Sequence, residues 1–400
     1  LNKTKEYKVC HLFYAEFPRD PRVRRYVKAL NDIGIYCIII FSKRKGEKLF
    51  DNWNGNLTYG IPVAKLRRSF LMTFLEYTLF TFISTFLVSY LGIKYKFKII
   101  HVHSLPDFLI FAAIFNKLFG AKLIMDFHEI FPELFIARKP GMEKSVWVKL
   151  LKLGERLSIK LADEVITIHD NAKEIFISRN KGIEHKIHSI MNSVDPGEFK
   201  QAKRVVTDEF IIMYNGTVVE LLNLTMIVKC LSYLKTKMPD SDYAKIRFYI
   251  YGNGPAVKEI LSLSRELGVD SKVKHHGFIL PSEMYKEILK SSVCILPPLK
   301  NIYSDLFYTL KLIEMVYLKI PVIATRLKTY KRYYREESLF YFDSGDMEQL
   351  TERVLEVFYN KELVTQKAEN AFEDYLKVRW EIMRETYLNI INGLLEKSNP

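Results

Sequence analysis

The chain has 400 residues, 48% of them hydrophobic and 26% charged, which is more than one core usually serves and too apolar for a disordered or fibrous chain. Its net charge of +14 is uneven: residues 1–200 carry 32 Lys and Arg against 20 Asp and Glu, and residues 201–400 carry 28 against 26. A basic half can meet nucleic acid, an anionic membrane or a phosphorylated substrate, and nucleic acid is the weakest of these because no zinc-finger spacing, RNP-like strand or basic heptad helix occurs. Cys10, Cys37, Cys230 and Cys294 form no CxxC, so a reduced, cytoplasmic chain with buried thiols is expected. The opening LNKTKEYKVC has no apolar run, and no export is expected from it.

Short apolar runs alternate with helical patterns along the chain, the sign of parallel α/β architecture. Strands are predicted at 8–14, 35–41, 98–103, 121–127 and 164–168, with helices at 21–34, 107–119 and around 144–162. The pattern restarts with strands at 210–216, 246–252, 272–278, 293–298 and 321–325. Helices separate them around 223–237, 255–267 and 309–318. This predicts an N-terminal Rossmann-like domain over 1–200 and a second over 201–372, facing across a cleft. A C-terminal helix within 373–400 is long enough to return to the first.

One segment breaks the pattern. From Ser69 to Ile93 the only charge is Glu76, with Arg67 and Arg68 before it and Lys94, Lys96 and Lys98 after. Residues 77–93 are short for a spanning helix of ~20 residues. Two readings stand side by side: a helix packed on the basic domain's sheet, or one lying in a bilayer interface with 67–98 on anionic headgroups. The second explains the cations at both ends.

No Walker A, GxGxxG or HExxH string occurs. The only DxD, Asp240-Ser241-Asp242, sits in a Pro-preceded turn far from other motifs, so no metal and no cofactor beyond a co-substrate are expected.

Several strings do carry chemistry. Asp20-Pro21-Arg22-Val23-Arg24-Arg25 follows the first strand. His101-Val102-His103 leads into Pro106-Asp107, and Asp126-Phe127-His128-Glu129 into Pro132-Glu133. Glu155-Arg156, Ala162-Asp163, Asn192-Ser193-Val194-Asp195, Gly252-Asn253-Gly254-Pro255, Lys311-Leu312-Ile313-Glu314-Met315 and Pro321-Val322-Ile323-Ala324-Thr325 complete the series. In order and spacing these resemble the signatures of the retaining glycosyltransferases of family 4 (GT-B fold, glycosyltransferase group 1) over almost the whole chain. The resemblance implies a GT-B enzyme that binds a nucleotide-sugar, most often UDP-linked, in the second domain and a glycan or lipid-linked acceptor in the first.

The residues support such a reading one by one. A helix starting near Thr309 offers its N-terminus to an anion, and Lys311 in its first turn opposes the helix dipole unless an anion is present. Glu314, three residues on, shares its face. The resemblance makes Glu314 an acceptor for ribose hydroxyls and groups Gly216, Asp305 and Leu312 with the donor. It sets the nucleotide base against Phe278-Ile279. His128 leaves the carboxyl end of its strand, where open α/β sheets bind ligands. By resemblance it serves the reaction centre, with Lys311 and Glu314 the other catalytic candidates. Of the strand pair, His101 and His103 are assigned opposite faces, with His103 facing the ligand. Asp20 has the grammar of a helix cap, which leaves Arg22 to meet an acceptor phosphate or sugar. Glu129 and Asn192 complete the acceptor set, although Asp126 and Glu129 also suit pairing with the Arg cluster at 22–25.

Two positions depart from the family. Leu306 stands where an acidic residue eight before Glu314 is usual, and Asp305 is its nearest substitute. The loop 217–224 has no cation where a basic pair commonly holds the diphosphate, and carries Glu220 instead. These departures keep open a non-catalytic GT-B partner subunit, and the shared fold leaves a further option, an epimerase acting on the nucleotide-sugar.

Overall fold

The computed structural model describes residues 7–63, 70–195, 204–205 and 207–397. Arg67 and Arg68, and much of the expected junction at 195–209, lie outside the described residues. The chain divides into two compact units, one of residues 1–191 with 381–400 and one of 192–380. The divide thus falls at Met191, before the expected boundary at 200, and the expected 373–396 helix is two helices, only the second of which joins the first unit.

The first unit runs β1 (Tyr7–Phe13), α1 (Pro21–Asp32), β2 (Tyr36–Ser42), β3 (Phe50–Trp53), β4 (Asn56–Ile61), α2 (Phe70–Tyr95) and β5 (Ile99–His103). After a 3-10 turn over Asp107–Ala113 come α3 (Ile114–Leu118), β6 (Lys122–Phe127), α4 (Phe131–Arg138), α5 (Val146–Leu161), β7 (Glu164–Thr167), α6 (Asp170–Arg179) and β8 (Ile187–Ser189). The single helix expected over 107–119 is therefore a 3-10 turn followed by a short α-helix. The sheet order is β3-β4-β2-β1-β5-β6-β7-β8, parallel except for the β3–β4 hairpin. That hairpin, absent from the predicted strands, turns on Asn54-Gly55, both with positive φ, which is the strongest short-range hairpin signal a sequence offers. Strands β1, β2, β5 and β6 are covered on both faces, which is why they read as nearly unbroken apolar runs.

Helix α2 packs one side on its own unit and leaves the other bare. Glu76, Phe80, Ser84, Val88 and Leu91, three or four apart, form a buried stripe, and Tyr14 donates its hydroxyl to Glu76 at 3.2 Å. The opposite side leaves Leu79, Phe82, Phe86, Tyr90 and Ile93 exposed. By length and composition α2 could cross a membrane, but its buried stripe packs it onto β2, β4 and the 3-10 turn of its own unit.

The second unit runs β9 (Phe210–Asn215), α7 (Thr225–Leu234), α8 (Asp240–Tyr243), β10 (Ile246–Tyr251), α9 (Val257–Glu266), β11 (Val273–Gly277), α10 (Pro281–Ile288) and β12 (Val293–Leu296). It continues through α11 (Leu310–Tyr317), β13 (Val322–Thr325), α12 (Lys328–Tyr333), β14 (Phe340–Phe342), α13 (Met347–Tyr359) and α14 (Lys361–Leu376). Its sheet is parallel throughout, in the order β11-β10-β9-β12-β13-β14. The last helix, α15 (Trp380–Glu396), belongs to the first unit, where Tyr387 packs on Tyr26 with ring centroids 4.2 Å apart. All four cysteines are buried and free, and burial pushes each thiol up.

Candidate active site

In both sheets the chain reverses its direction of strand addition beside the first strand, β1 between β2 and β5 and β9 between β10 and β12. Crevices at the carboxyl ends of such strands are where open α/β sheets hold ligands, and the sequence-selected residues gather there.

In the first unit the arrangement starts from a helix cap. Asp20 accepts from the backbone N–H groups of Arg22 and Val23 at 2.9 and 3.1 Å, behind Pro21 at the start of α1. The cap turns Arg22 inward. Its Nε and Nη2 donate to the two oxygens of Asp126 at 2.9 and 2.8 Å, and Nη1 donates to the Ile190 carbonyl at 2.8 Å. This corrects the assignment of Arg22 to an acceptor: the side chain is buried and its fork is engaged by Asp126, the pairing that was the alternative for that carboxylate. Burial alone would push the Asp126 carboxyl up, but Arg22, followed by His128, holds it well below the usual range.

His101 and His103 do not face opposite sides. Residues two apart on a strand share a face, and the two rings stack with centroids 4.1 Å apart. His11, opposite His101 in the β1–β5 pairing, joins them through a 3.0 Å hydrogen bond between its Nδ1 and His103 Nε2. Burial lowers all three, so they stand neutral at pH 7. His103 Nδ1 is 3.1 Å from His128 Nε2, which in turn lies 3.2 Å from Asp126 Oδ2. The His128 backbone N–H donates to Ser104 Oγ at 2.9 Å. With a side chain 21% exposed, against none for His103 or Asp126, His128 is the end of this chain that a substrate can touch.

The triads His11–His101–His103 and His103–Asp126–His128 have ligand atoms within 4.8 Å of one another, close enough for one metal ion. In the second, however, Arg22 already holds both Asp126 oxygens, and the remaining contacts are those of a hydrogen-bonded relay. Glu129 is half-buried beside His128, and Asn192 stands at the first position of the second unit.

In the second unit three loops meet backbone to backbone. Gly216 donates to the Tyr251 carbonyl at 2.8 Å, Val218 to Asn253 at 3.1 Å, and Gly252 to Gly277 at 2.6 Å. A Cβ on Gly252 would lie 2.0 Å from the Gly216 carbonyl oxygen, and one on Gly254 1.9 Å from that of Val218. The G-x-G turn is therefore needed for close approach. Against this floor lies Lys311, whose ammonium donates to the Tyr214 hydroxyl at 3.1 Å and would sit 3.4 Å from a Cβ on Gly216. Burial pushes Lys311 down to about 8, with Cys294 and Glu314 pulling the other way. A pocket beside it is lined by Tyr214, Pro297, Phe307, Thr309 and Tyr330. Asn215 donates to Glu314 Oε2 at 3.3 Å and so orients that carboxylate.

Other donor candidates are placed differently from expectation. Leu312 is buried and its N–H is taken by the Thr309 hydroxyl at 3.4 Å, so it serves the cap of α11. Asp305 accepts the Lys328 N–H at 2.9 Å through Oδ1, which ties this carboxylate to the start of α12. Phe278 is 72% exposed and Ile279 half-buried after β11, an open apolar shelf beside the Gly252 turn. Asp240 and Asp242 lie on α8, where Lys245 and Tyr359 hold Asp242, as a surface turn would. Sequence reasoning missed His11, Tyr26, Tyr387, Tyr214 and Asn215. For Asn215 the signal was present: it is the last residue of a strand, at the ligand end.

The profile of glycosyltransferase family 4 matches residues 22–198, and that of the glycosyl transferases group 1 matches 196–374. No curated protein sequence matches the chain. Among solved structures it is similar to sucrose-phosphate synthase from Thermosynechococcus elongatus, with TM-score 0.78, 14% identity, and 98% of this chain and 100% of that one covered. It is also similar to WaaG, a glycosyltransferase involved in lipopolysaccharide biosynthesis (TM-score 0.71, 14% identity, 96% and 100% covered). A third is Anabaena HepE in complex with UDP (TM-score 0.67, 10% identity, 96% and 100% covered). The two profiles together span residues 22–374, and with the paired Rossmann-like units they define a glycosyltransferase of the GT-B class. The chain belongs to group 1 and family 4 of those enzymes.

Proposed function

We propose that the protein transfers a sugar from a nucleotide-sugar, UDP-linked, to a glycan or lipid-linked acceptor, with retention at the anomeric carbon, in cell-surface polysaccharide or glycolipid synthesis. The observation that carries this reading is the Lys311 ammonium beside the glycine-only backbone at Gly216, with Glu314 oriented by Asn215. It supplies in one residue the cation that the 217–224 loop lacks. The second unit holds the nucleotide and the first holds the acceptor, beside His128. In the transfer the bond from the anomeric carbon to the diphosphate oxygen breaks. The acceptor oxygen bonds to the same face of that carbon, and its proton goes to the departing phosphate. Lys311 and the start of α11 stabilise the charge left on the diphosphate. No metal is required in this scheme. UDP in the HepE structure and the lipopolysaccharide role of WaaG support the donor and acceptor classes.

The test is titration of UDP, GDP and CDP into wild type and Glu314→Ala. Equal, weak binding by both proteins removes this nucleotide site. The cation-free loop and Leu306 favour a second reading, a non-catalytic subunit. Nucleotide release from a panel of sugar donors and acceptors, abolished by His128→Ala, rules that reading out. Release without any acceptor would instead indicate an epimerase.

The location proposed is cytoplasmic and peripheral on the membrane's inner face. The bare apolar side of α2 and the cations at 94–98 support it, each cation contributing ~1 kcal/mol at an anionic surface. Protein that stays in the supernatant with anionic vesicles at low salt would refute the placement.

A further inference from the structure

We propose that the first unit holds one hydrocarbon chain of an anionic, phosphate-headed lipid in a cavity walled by α2, α4 and α5, and that this lipid is the tail of the sugar acceptor. The binding claim stands alone; the identification of the lipid as acceptor rests on the transferase reading above.

The cavity measures about 780 Å³ and its walls include Phe74, Tyr77, Phe108, Phe135, Leu150 and Leu151. Small-molecule pockets run to ~300–1,000 Å³. Since ~150 Å³ of apolar space takes one benzene ring, this one has room for well over a dozen carbons. Residues of three helices and of the loop after β5 line it, and it opens to solvent on one side.

Gly154 bears on the room inside the cavity, and two cations on the charge of its occupant. Gly154 lies inside α5 at the cavity wall, and a Cβ added there meets nothing within 4 Å. A larger side chain at this position therefore has room to enter the cavity. Arg138 and Lys139, both exposed, also line the cavity, and neither makes an ion pair among the described residues. A chain of methylenes with phosphate at its end matches this sequence of apolar wall and free cations.

The place of the cavity suits an acceptor. Phe131, on its wall, follows His128 by three residues, and Leu105 follows Ser104, whose hydroxyl holds the His128 backbone.

The experiment is calorimetric titration of the full chain with alkyl monophosphates from octyl to dodecyl, each kept monomeric and with no nucleotide-sugar present. Affinity is expected to rise about fourfold per methylene. Gly154→Ala should bind dodecyl phosphate as wild type does, and Gly154→Phe should bind it at least tenfold more weakly. Arg138→Gln with Lys139→Gln should weaken every chain length by the same factor and leave the slope per methylene unchanged. Should Gly154→Phe lose its helical circular dichroism, Leu150→Trp fills the same space from a solvent-facing position and is expected to weaken dodecyl phosphate likewise. Affinity independent of chain length, or a folded blocking variant that binds like wild type, overturns the cavity. Because no donor is present, a protein without transferase activity passes or fails this test all the same. The acceptor assignment is tested separately: it falls if a chain-free glycan is glycosylated as fast as a lipid-linked one and Gly154→Phe leaves both rates unchanged.

Discussion

Raising the pH from 7 to 9 is expected to weaken UDP binding about tenfold, and Lys311→Met to abolish that dependence. The ammonium of Lys311 donates to Tyr214 OH and sits 4.5 Å from the centre of that ring, in a site whose burial pushes it down to about 8. If only the charged form grips the diphosphate, the apparent dissociation constant grows as one plus ten to the power of pH minus that value. The ratio between pH 9 and pH 7 is then about ten, or ~1.4 kcal/mol. Removing the amine at pH 7 deletes a charge-assisted hydrogen bond of ~1.5–3 kcal/mol, so Lys311→Met should bind roughly tenfold to 150-fold more weakly. Folding responds with the opposite sign. The folded-state value lies below the unfolded one of ~10.4, so the unfolded chain binds the extra proton, and this group favours the folded state as pH rises from about 8 towards ~10.4. Weaker binding at pH 9 would therefore not reflect unfolding caused by Lys311. Calorimetric titration of UDP into both proteins at pH 7, 8 and 9 is the assay, since the variant shares every titration of the ligand. Wild-type affinity that stays flat, or a variant with the same slope, refutes the reasoning.

Three further outcomes are expected. Arg22→Met leaves the buried Asp126 carboxylate without its partner and should cost ~3–5 kcal/mol in urea unfolding, far more than a surface arginine. Gly252→Ala forces a Cβ to 2.0 Å from the Gly216 carbonyl at a φ of +124°, and should lower UDP affinity at least tenfold although no side chain there meets the nucleotide. Phe82→Ser with Phe86→Ser, on the bare side of α2, should reduce cosedimentation with anionic vesicles, and the wild-type protein should release from them as salt is raised.

The sheets were legible because parallel strands buried on both faces are written as unbroken runs such as IYCIIIF and VCIL, which no surface element tolerates. The edge was harder. Strands β8 and β14 have three residues each, too few to show a period, and β3 is mostly exposed. In the site, residues marked by local grammar were placed well: Asp20 before Pro21 caps, and Lys311 in a first turn lies by the glycine floor. What failed depended on long-range partners. Arg22 looked available because Asp126 is 104 residues away, and the tie between Asp305 and the Lys328 N–H on α12 was equally invisible. The His101 and His103 assignment failed on strand parity, which the sequence did contain.

The contact between Arg22 and Asp126 also bears on how the sugar can be transferred. A covalent route would need a carboxylate that reaches the anomeric carbon with a free lone pair. Asp126, the carboxylate bound to His128, is fully buried and both its oxygens accept from Arg22. Its low proton affinity suits a fixed anion rather than a group that alternates between free and bonded forms. Held this way, Asp126 orients His128 and favours a proton on the ring nitrogen facing it, which leaves the other nitrogen, Nδ1, to accept from a substrate hydroxyl. His103, neutral through burial, can accept the same proton from His128 but cannot compete with the carboxylate for it. The cluster therefore works as a support that sets one imidazole tautomer. In the proposed transfer the developing charge would fall on the diphosphate, where Lys311 and the start of α11 would meet it.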